Sequence, residues 1–138
     1  MAWRRGFDVM DRRVPESAVV QFNPEQPGDY FRYAQILQAG RQMASGLPVC
    51  TAAFGGDPAG CAEVEASVAR VFAAGGEAAS ADAVRVECGR LGVSDLVATR
   101  WDGVWADRAG WVWNLPVVVD TDEVRVLDCG GRDRVRMR

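Results

Sequence analysis

The sequence contains no histidine and no lysine. Without histidine, the chain lacks the commonest general base, the usual activator of serine and cysteine nucleophiles, and the commonest metal ligand. Catalysis by a Ser-His or Cys-His pair within this chain is therefore excluded. All 16 basic residues are arginine. Together with the abundance of Ala, Gly and Val, this indicates the codon bias of a GC-rich bacterial genome rather than a functional choice.

Three further scarcities narrow the class of protein. The net charge of −3 is too small to create a field that would attract nucleic acid. No apolar run is long enough to span a membrane and the N-terminus lacks the apolar core of a signal peptide, so the sequence as it stands predicts a soluble piece, whether or not it comes from a larger membrane protein. No Cys-x-x-Cys pair is present, which argues against a zinc site, and no motif predicts a cofactor.

What is present fits one globular domain. The chain has 138 residues, of which 49% are hydrophobic and 25% charged, and it can bury most of its apolar surface without a metal or cofactor. We expect a single domain over residues 1–129. The remaining residues, 130–138, are rich in glycine and arginine and predict a flexible tail.

Helix and strand signals alternate along most of the chain. Helices are predicted from Asp57-Pro58 to the glycines at 75–76 and from Ser80 to Gly92, because aspartate and serine cap free amides while glycine ends a helix. Further helices are predicted at 3–14 and 30–39, strands at 18–22, 49–53 and 93–99, and a hairpin at 116–119 and 124–127. The pattern predicts an α/β fold: a small, mostly parallel sheet flanked by helices, with a C-terminal antiparallel hairpin.

The stretch 100–114, RWDGVWADRAGWVWN, holds four of the five tryptophans. Each indole can remove about 150–250 Å² from water, which at about 25 cal/mol per Å² is an upper bound of roughly 4–6 kcal/mol. Such a segment must be sheltered. Either its tryptophans fill the core, or some of them face a ligand, a partner chain or a membrane surface.

The carboxyl ends of parallel strands are the usual ligand-binding edge of an open α/β sheet. Here the predicted strands lead into polar residues and into the tryptophan stretch, a combination suited to a sugar that stacks on an indole and donates hydroxyl protons to a carboxylate. The predicted ligand-binding residues are Asn23, Asp57, Arg100, Trp101, Asp102, Trp105 and Asp107.

Two alternatives remain open for these residues. Asp102 and Asp107 fit instead as turn residues that bond their own backbone. Tryptophans at this spacing also fit a core. The glycines before Asp57 have neither the Walker lysine nor the dinucleotide spacing, so they do not define a nucleotide site.

The four cysteines are even in number and can be paired. Cys50 and Cys61 flank a strand-to-helix turn, whereas Cys88 and Cys129 fall on a helix face and at the end of the last strand. Two disulfides, Cys50–Cys61 and Cys88–Cys129, would favour an oxidising compartment. The alternative is four buried free thiols.

Four segments carry a resemblance: VPESAVVQFNP, AGRQMASGLPVCTAAFGG, LGVSDLVATRWDGVWADRAGWVW and LPVVVDTDEVRVLDC. Together they resemble the soluble extracytoplasmic C-terminal domain of bacterial multi-spanning membrane proteins of the glycosyltransferase type. The resemblance implies a domain that packs against a membrane-embedded active site and handles a lipid-linked sugar or glycan acceptor. It transfers no catalytic residue, because catalysis would lie in the membrane part.

The sequence thus predicts a non-catalytic accessory or binding domain on the extracytoplasmic face of a bacterial membrane. Its predicted partners are the membrane-embedded part of the same protein, or a membrane partner, and a carbohydrate ligand. The alternative is a free-standing cytoplasmic hydrolase or transferase that uses carboxylates such as Asp57 and Asp102.

Overall fold

A computed structural model describes residues 12–14, 18–23, 58–73 and 80–130 of the chain. Within them, four strands form one sheet: β1 (Val20–Gln21), β2 (Asp95–Thr99), β3 (Val117–Asp120) and β4 (Val124–Asp128). The helices are α1 (Pro58–Phe72), α2 (Ala81–Leu91) and the single turn α3 (Trp111–Asn114), with a 3₁₀ helix at Gly103–Ala106. The fold class is therefore α/β, as predicted.

The strand order in the sheet is β1-β2-β4-β3. β1 runs parallel to β2, while β4 runs antiparallel to both β2 and β3. The predicted C-terminal hairpin is confirmed as β3 and β4. The prediction of a mostly parallel sheet is wrong for the described strands, because two of their three pairings are antiparallel. Only β1 and β2 pair in parallel among the described strands, and the hairpin adds two antiparallel pairings through β4, which lies beside β2.

Both long helices begin where local chemistry favours it. Proline occupies the first helical position of α1, where its missing amide costs nothing. Ser80 caps α2 by accepting a hydrogen bond from the amide of Ala83 at 3.2 Å. Gly92 ends α2 with φ of 71°, a left-handed conformation that glycine adopts without strain.

The sheet is covered on both faces. Alternate residues of a strand point to opposite faces, so Leu96 and Ala98 of β2 join a core with α1, α2 and α3, whereas Val97 joins a second core that includes Val14. Every residue of β2 is buried. This double burial explains why apolar residues follow one another directly within β2, at Leu96, Val97 and Ala98, and within β4, at Val126 and Leu127.

Three predicted elements, the helices at 3–14 and 30–39 and the strand at 49–53, lie wholly or mostly outside the described residues, as does the tail from residue 131. Among the helices of the described segments, none has the length and apolar character needed to cross a bilayer.

Candidate functional site at the carboxyl edge of the sheet

The carboxyl ends of the two parallel strands meet through side chains. Asn23, which follows β1, donates a hydrogen bond from its amide nitrogen to Oδ1 of Asp102 at 3.0 Å. Asp102 follows β2 and is 4% exposed. Its Oδ2 accepts from the backbone amide of Thr99 at 2.8 Å and from the Thr99 hydroxyl at 3.2 Å. The structure thus brings together two of the predicted ligand-binding residues, Asn23 and Asp102, at this edge of the sheet.

The hydrogen bonds of Asp102 favour a structural role for its carboxylate. Both carboxylate oxygens accept hydrogen bonds from the protein, and the side chain is nearly inaccessible to water. A carboxylate in this state holds β1, β2 and the following turn together, because each bond closes a different part of the backbone. The arrangement matches the turn alternative for Asp102, with Asn23 as an additional long-range partner.

Arg100 and Trp101 supply the accessible surface of this edge. The guanidinium carbon of Arg100 lies 4.7 Å from the centre of the Trp101 ring, a cation–π distance. Arg100 also forms an ion pair with Glu123 at 3.8 Å, and its side chain is half-exposed. Trp101 is partly buried. We call Asn23, Arg100, Trp101 and Asp102 the rim.

Trp111 belongs to the core. It is fully buried, and its indole nitrogen donates to the carbonyl oxygen of Val71 in α1 at 2.8 Å. Its ring meets Phe72 edge to face, with centroids 5.5 Å apart. The core alternative therefore holds for Trp111, which joins the tryptophan stretch to α1.

Trp105 and Trp113 form a second aromatic pair, with ring centroids 5.2 Å apart. The Trp113 indole nitrogen donates to the carbonyl oxygen of Trp105 at 2.8 Å. Two guanidinium groups lie over the Trp113 ring, Arg108 at 3.8 Å and Arg125 at 4.3 Å. Trp105 is partly buried against the core that the sheet forms with α1, α2 and α3, which we call the helix-side core. Trp105 therefore packs against Trp113 and is not an isolated ring on which a sugar could stack.

Asp107 has a local role in the structure. Its Oδ1 accepts a hydrogen bond from the backbone amide of Ala109 at 3.2 Å, as in an Asx turn. Gly110 lies against it, since a Cβ at that position would come within 3.0 Å of Asp107 Oδ2. This geometry matches the turn alternative for Asp107. The remaining predicted ligand residue, Asp57, lies outside the described residues.

Cys88 of α2 and Cys129, directly after β4, form a disulfide. Both residues are almost fully buried in the helix-side core. The other predicted pair falls outside the described side chains, because neither Cys50 nor the side chain of Cys61 is among them. The described residues also contain no group of three or more Cys, Asp or Glu placed to hold a metal ion.

Two features with charged residues were not predicted from the sequence. The first is the burial of Arg125, which is 7% exposed, although an arginine in a hairpin strand is usually expected to face solvent. A second grouping joins Ser67 and Arg70 of α1 to Glu87 and Arg90 of α2. Its only signal in the sequence was the spacing of three residues within each helix, which places such residues on the same face.

Comparison with protein-family models, with curated proteins and with solved structures finds no match to this chain in any of the three.

Proposed function

We propose that this chain is a non-catalytic binding domain that works on the extracytoplasmic side of a bacterial membrane and takes a carbohydrate at the rim. The observation that carries the proposal is the disulfide between Cys88 and Cys129. Disulfides persist in oxidising compartments and are rare in the bacterial cytosol. The pair joins α2 to the end of β4 inside the core, where it crosslinks residues 41 positions apart.

The rim supports the binding part of the proposal. An arginine and a partly accessible indole stand beside a hydrogen-bonded base made of Asn23 and Asp102. Indoles provide stacking surface for sugar rings, and a guanidinium donates to hydroxyl and phosphate oxygens. A lipid-linked sugar offers both kinds of group. The resemblance to glycosyltransferase-type membrane proteins favours the same class of ligand and a membrane-embedded partner.

The enzymatic alternative has less support. A general acid or base must reach the proton that it transfers. Asp102, one of the two carboxylates in that alternative, is 4% exposed and engages both oxygens within the protein. These contacts favour a positioning role for this residue.

The binding part is tested by titrating tryptophan fluorescence with mono- and oligosaccharides and with lipid-linked sugars. Trp101→Phe should remove the response, because Phe keeps an apolar ring but loses the indole fluorophore at the rim. Arg100→Gln should weaken affinity without removing that fluorophore. The matched control is Trp105→Phe, which lies in the same segment but packs against Trp113. Absence of a saturable response across the panel, or an equal response in wild type and Trp101→Phe, would contradict carbohydrate binding at the rim.

The location is tested by counting thiols. Native protein isolated from its own bacterium is denatured without reductant in the presence of an alkylating reagent, which should leave Cys88 and Cys129 unmodified because both are in the disulfide. Four alkylated cysteines under those conditions would rule out an extracytoplasmic location. The control is the same protein reduced before alkylation, in which all four cysteines are modified.

A further inference from the structure

A cleft lies between α1 and α2, away from the rim. Its volume is about 220 Å³, below the range of roughly 300–1,000 Å³ that holds drug-sized ligands. Its walls combine apolar and charged side chains: Glu63, Val64, Ser67, Arg90 and Leu91. A cleft of this size and lining suits a small polar ligand.

Two guanidinium groups converge on Ser67, one of the residues that line this cleft. Arg90 donates from its terminal nitrogen to the Ser67 hydroxyl at 2.7 Å, and Arg70 donates to the same oxygen at 2.9 Å. Ser67 is fully buried. One fixed hydroxyl therefore holds both arginines, although each arginine side chain is about half exposed, at 49% and 58%.

The positive charge of Arg70 and Arg90 is only partly neutralised by neighbouring carboxylates. Glu87 is the carboxylate between the two arginines, but its ion pairs are long: 3.7 Å to Arg70 and 3.5 Å to Arg90. Its Oε2 is buried and makes no hydrogen bond in the described structure. Glu63 also lines the cleft, but the ion pairs of Arg70 and Arg90 within the described residues are those with Glu87. Because these pairs are long, N–H groups of both arginines remain available for a closer acceptor.

We propose that this cleft binds a small oxyanion, specifically a phosphate monoester, between Arg70 and Arg90. A phosphate monoester carries a charge of about −1.5 to −2 near neutral pH and three strong acceptor oxygens, which matches two forked donors better than a carboxylate does. Val64 and Leu91 contact the short carbon skeleton of the ligand, and Glu63 accepts from one of its hydroxyl groups. Ser67 is a positioning residue that sets the spacing of the two guanidiniums.

The experiment is a titration of the ¹⁵N-labelled protein with glycerol phosphate at constant ionic strength, with inorganic phosphate and acetate as comparison arms. We expect saturable shifts of the α1 and α2 amides and of the Arg70 and Arg90 side-chain Nε–H signals. Both phosphates should bind with Kd values on the order of 1 mM, and acetate at least about tenfold more weakly. Tighter binding of glycerol phosphate than of inorganic phosphate would show that the apolar wall contributes.

Four variants separate a site from general charge attraction. Arg90→Gln and Arg70→Gln should each weaken binding at least about tenfold, and Ser67→Ala should weaken it several-fold while both charges remain. The matched control is Arg85→Gln. Arg85 is an exposed arginine of α2, the helix that holds Arg90, but it lies outside the cleft, so this variant should bind like wild type. If Arg90→Gln fails to fold, the Arg70→Gln result stands in its place. Lack of saturation, or equal losses in the Arg70→Gln and Arg85→Gln variants, would overturn the proposal. Neither result bears on the rim, because no rim residue lines this cleft and the rim is tested with its own variants, Trp101→Phe and Arg100→Gln.

Discussion

Asn23 and Asp102 are 79 residues apart in the sequence and are joined by a 3.0 Å hydrogen bond at the carboxyl edge of the sheet. The bond closes the crossover between the parallel strands β1 and β2, and the Thr99 bonds hold the same carboxylate against the end of β2. The rim therefore has a rigid base on which Arg100 and Trp101 stand.

Replacement of Asp102 by alanine should destabilise the fold strongly. It leaves the buried Thr99 amide and the Asn23 side chain without their acceptor, and hydrogen bonds to a charged group contribute about 1.5–3 kcal/mol each. We expect a loss of about 3–5 kcal/mol in the free energy of unfolding, measured by urea denaturation. Asp107→Ala is the control, because it removes one exposed turn bond and should cost less than about 1 kcal/mol. Similar losses in both variants would contradict the role assigned to Asp102.

Removal of the disulfide should lower stability by an amount set mainly by loop entropy. For residues 41 positions apart, the loop-closure relation gives about 4 kcal/mol at 25 °C. The Cys88→Ala/Cys129→Ala variant should therefore unfold at a lower urea concentration than the oxidised wild type. The wild type under strong reductant provides the comparison. A double variant as stable as the oxidised protein would show that the crosslink does not constrain the unfolded chain.

Trp111→Phe tests the attachment of the tryptophan stretch to α1. The change removes the hydrogen bond to the Val71 carbonyl oxygen and leaves a void beside Phe72 in the core. We expect a loss of about 2–4 kcal/mol in the free energy of unfolding. Trp101→Phe, at a partly exposed position, should cost less than about 1 kcal/mol, so a ranking in the opposite order would contradict the assignment of Trp111 to the core.

Arg125→Met tests how much Arg125, one of the two arginines over the Trp113 ring, contributes to the free energy of unfolding. Arg125 donates to the Val112 carbonyl oxygen at 3.0 Å, lies over Trp113 and pairs with Asp120 at 3.1 Å. Methionine keeps the apolar stem but loses these contacts, which predicts a loss of about 2–3 kcal/mol.

Arg108→Met is the matched control, since Arg108 is exposed and its described side-chain contact is the Trp113 ring. A cation–π contact at an exposed site contributes about 0.5–1 kcal/mol. The difference between the two variants measures the Val112 hydrogen bond and the Asp120 pair, and equal losses would show that neither contributes to stability.

Much of the described architecture follows from local sequence. Pro58, Ser80 and Gly92 begin and end helices by rules that involve only neighbouring residues, and the turn after Asp120 closes a hairpin for the same reason. The placement of Asn23 beside Asp102 required one more step, namely that strands on either side of a crossover run parallel. For the cysteines, the sequence left a Cys88–Cys129 disulfide and four free thiols as alternatives, and the structure brings Cys88 and Cys129 together as a disulfide.

Other features depended on contacts between distant segments. The pairing of β4 with β2 makes the described sheet mixed, where a mostly parallel sheet was predicted. In that pairing Arg125 lies opposite Ala98 of β2. Its guanidinium is over the Trp113 ring and donates a hydrogen bond to the Val112 carbonyl oxygen. Strand order is a choice among long-range pairings that local propensity does not rank.

The sequence by itself determined the α/β class, the approximate limits of α1 and α2, the C-terminal hairpin and the exclusion of histidine-dependent chemistry, because each depends on residue type and short spacing. Only the tertiary structure decided which tryptophan is core, which carboxylate is held in place, and that the arginines of α1 and α2 meet at Ser67. The physical reason is that burial and hydrogen-bond partnership belong to pairs of surfaces, and those surfaces meet only when distant segments pack.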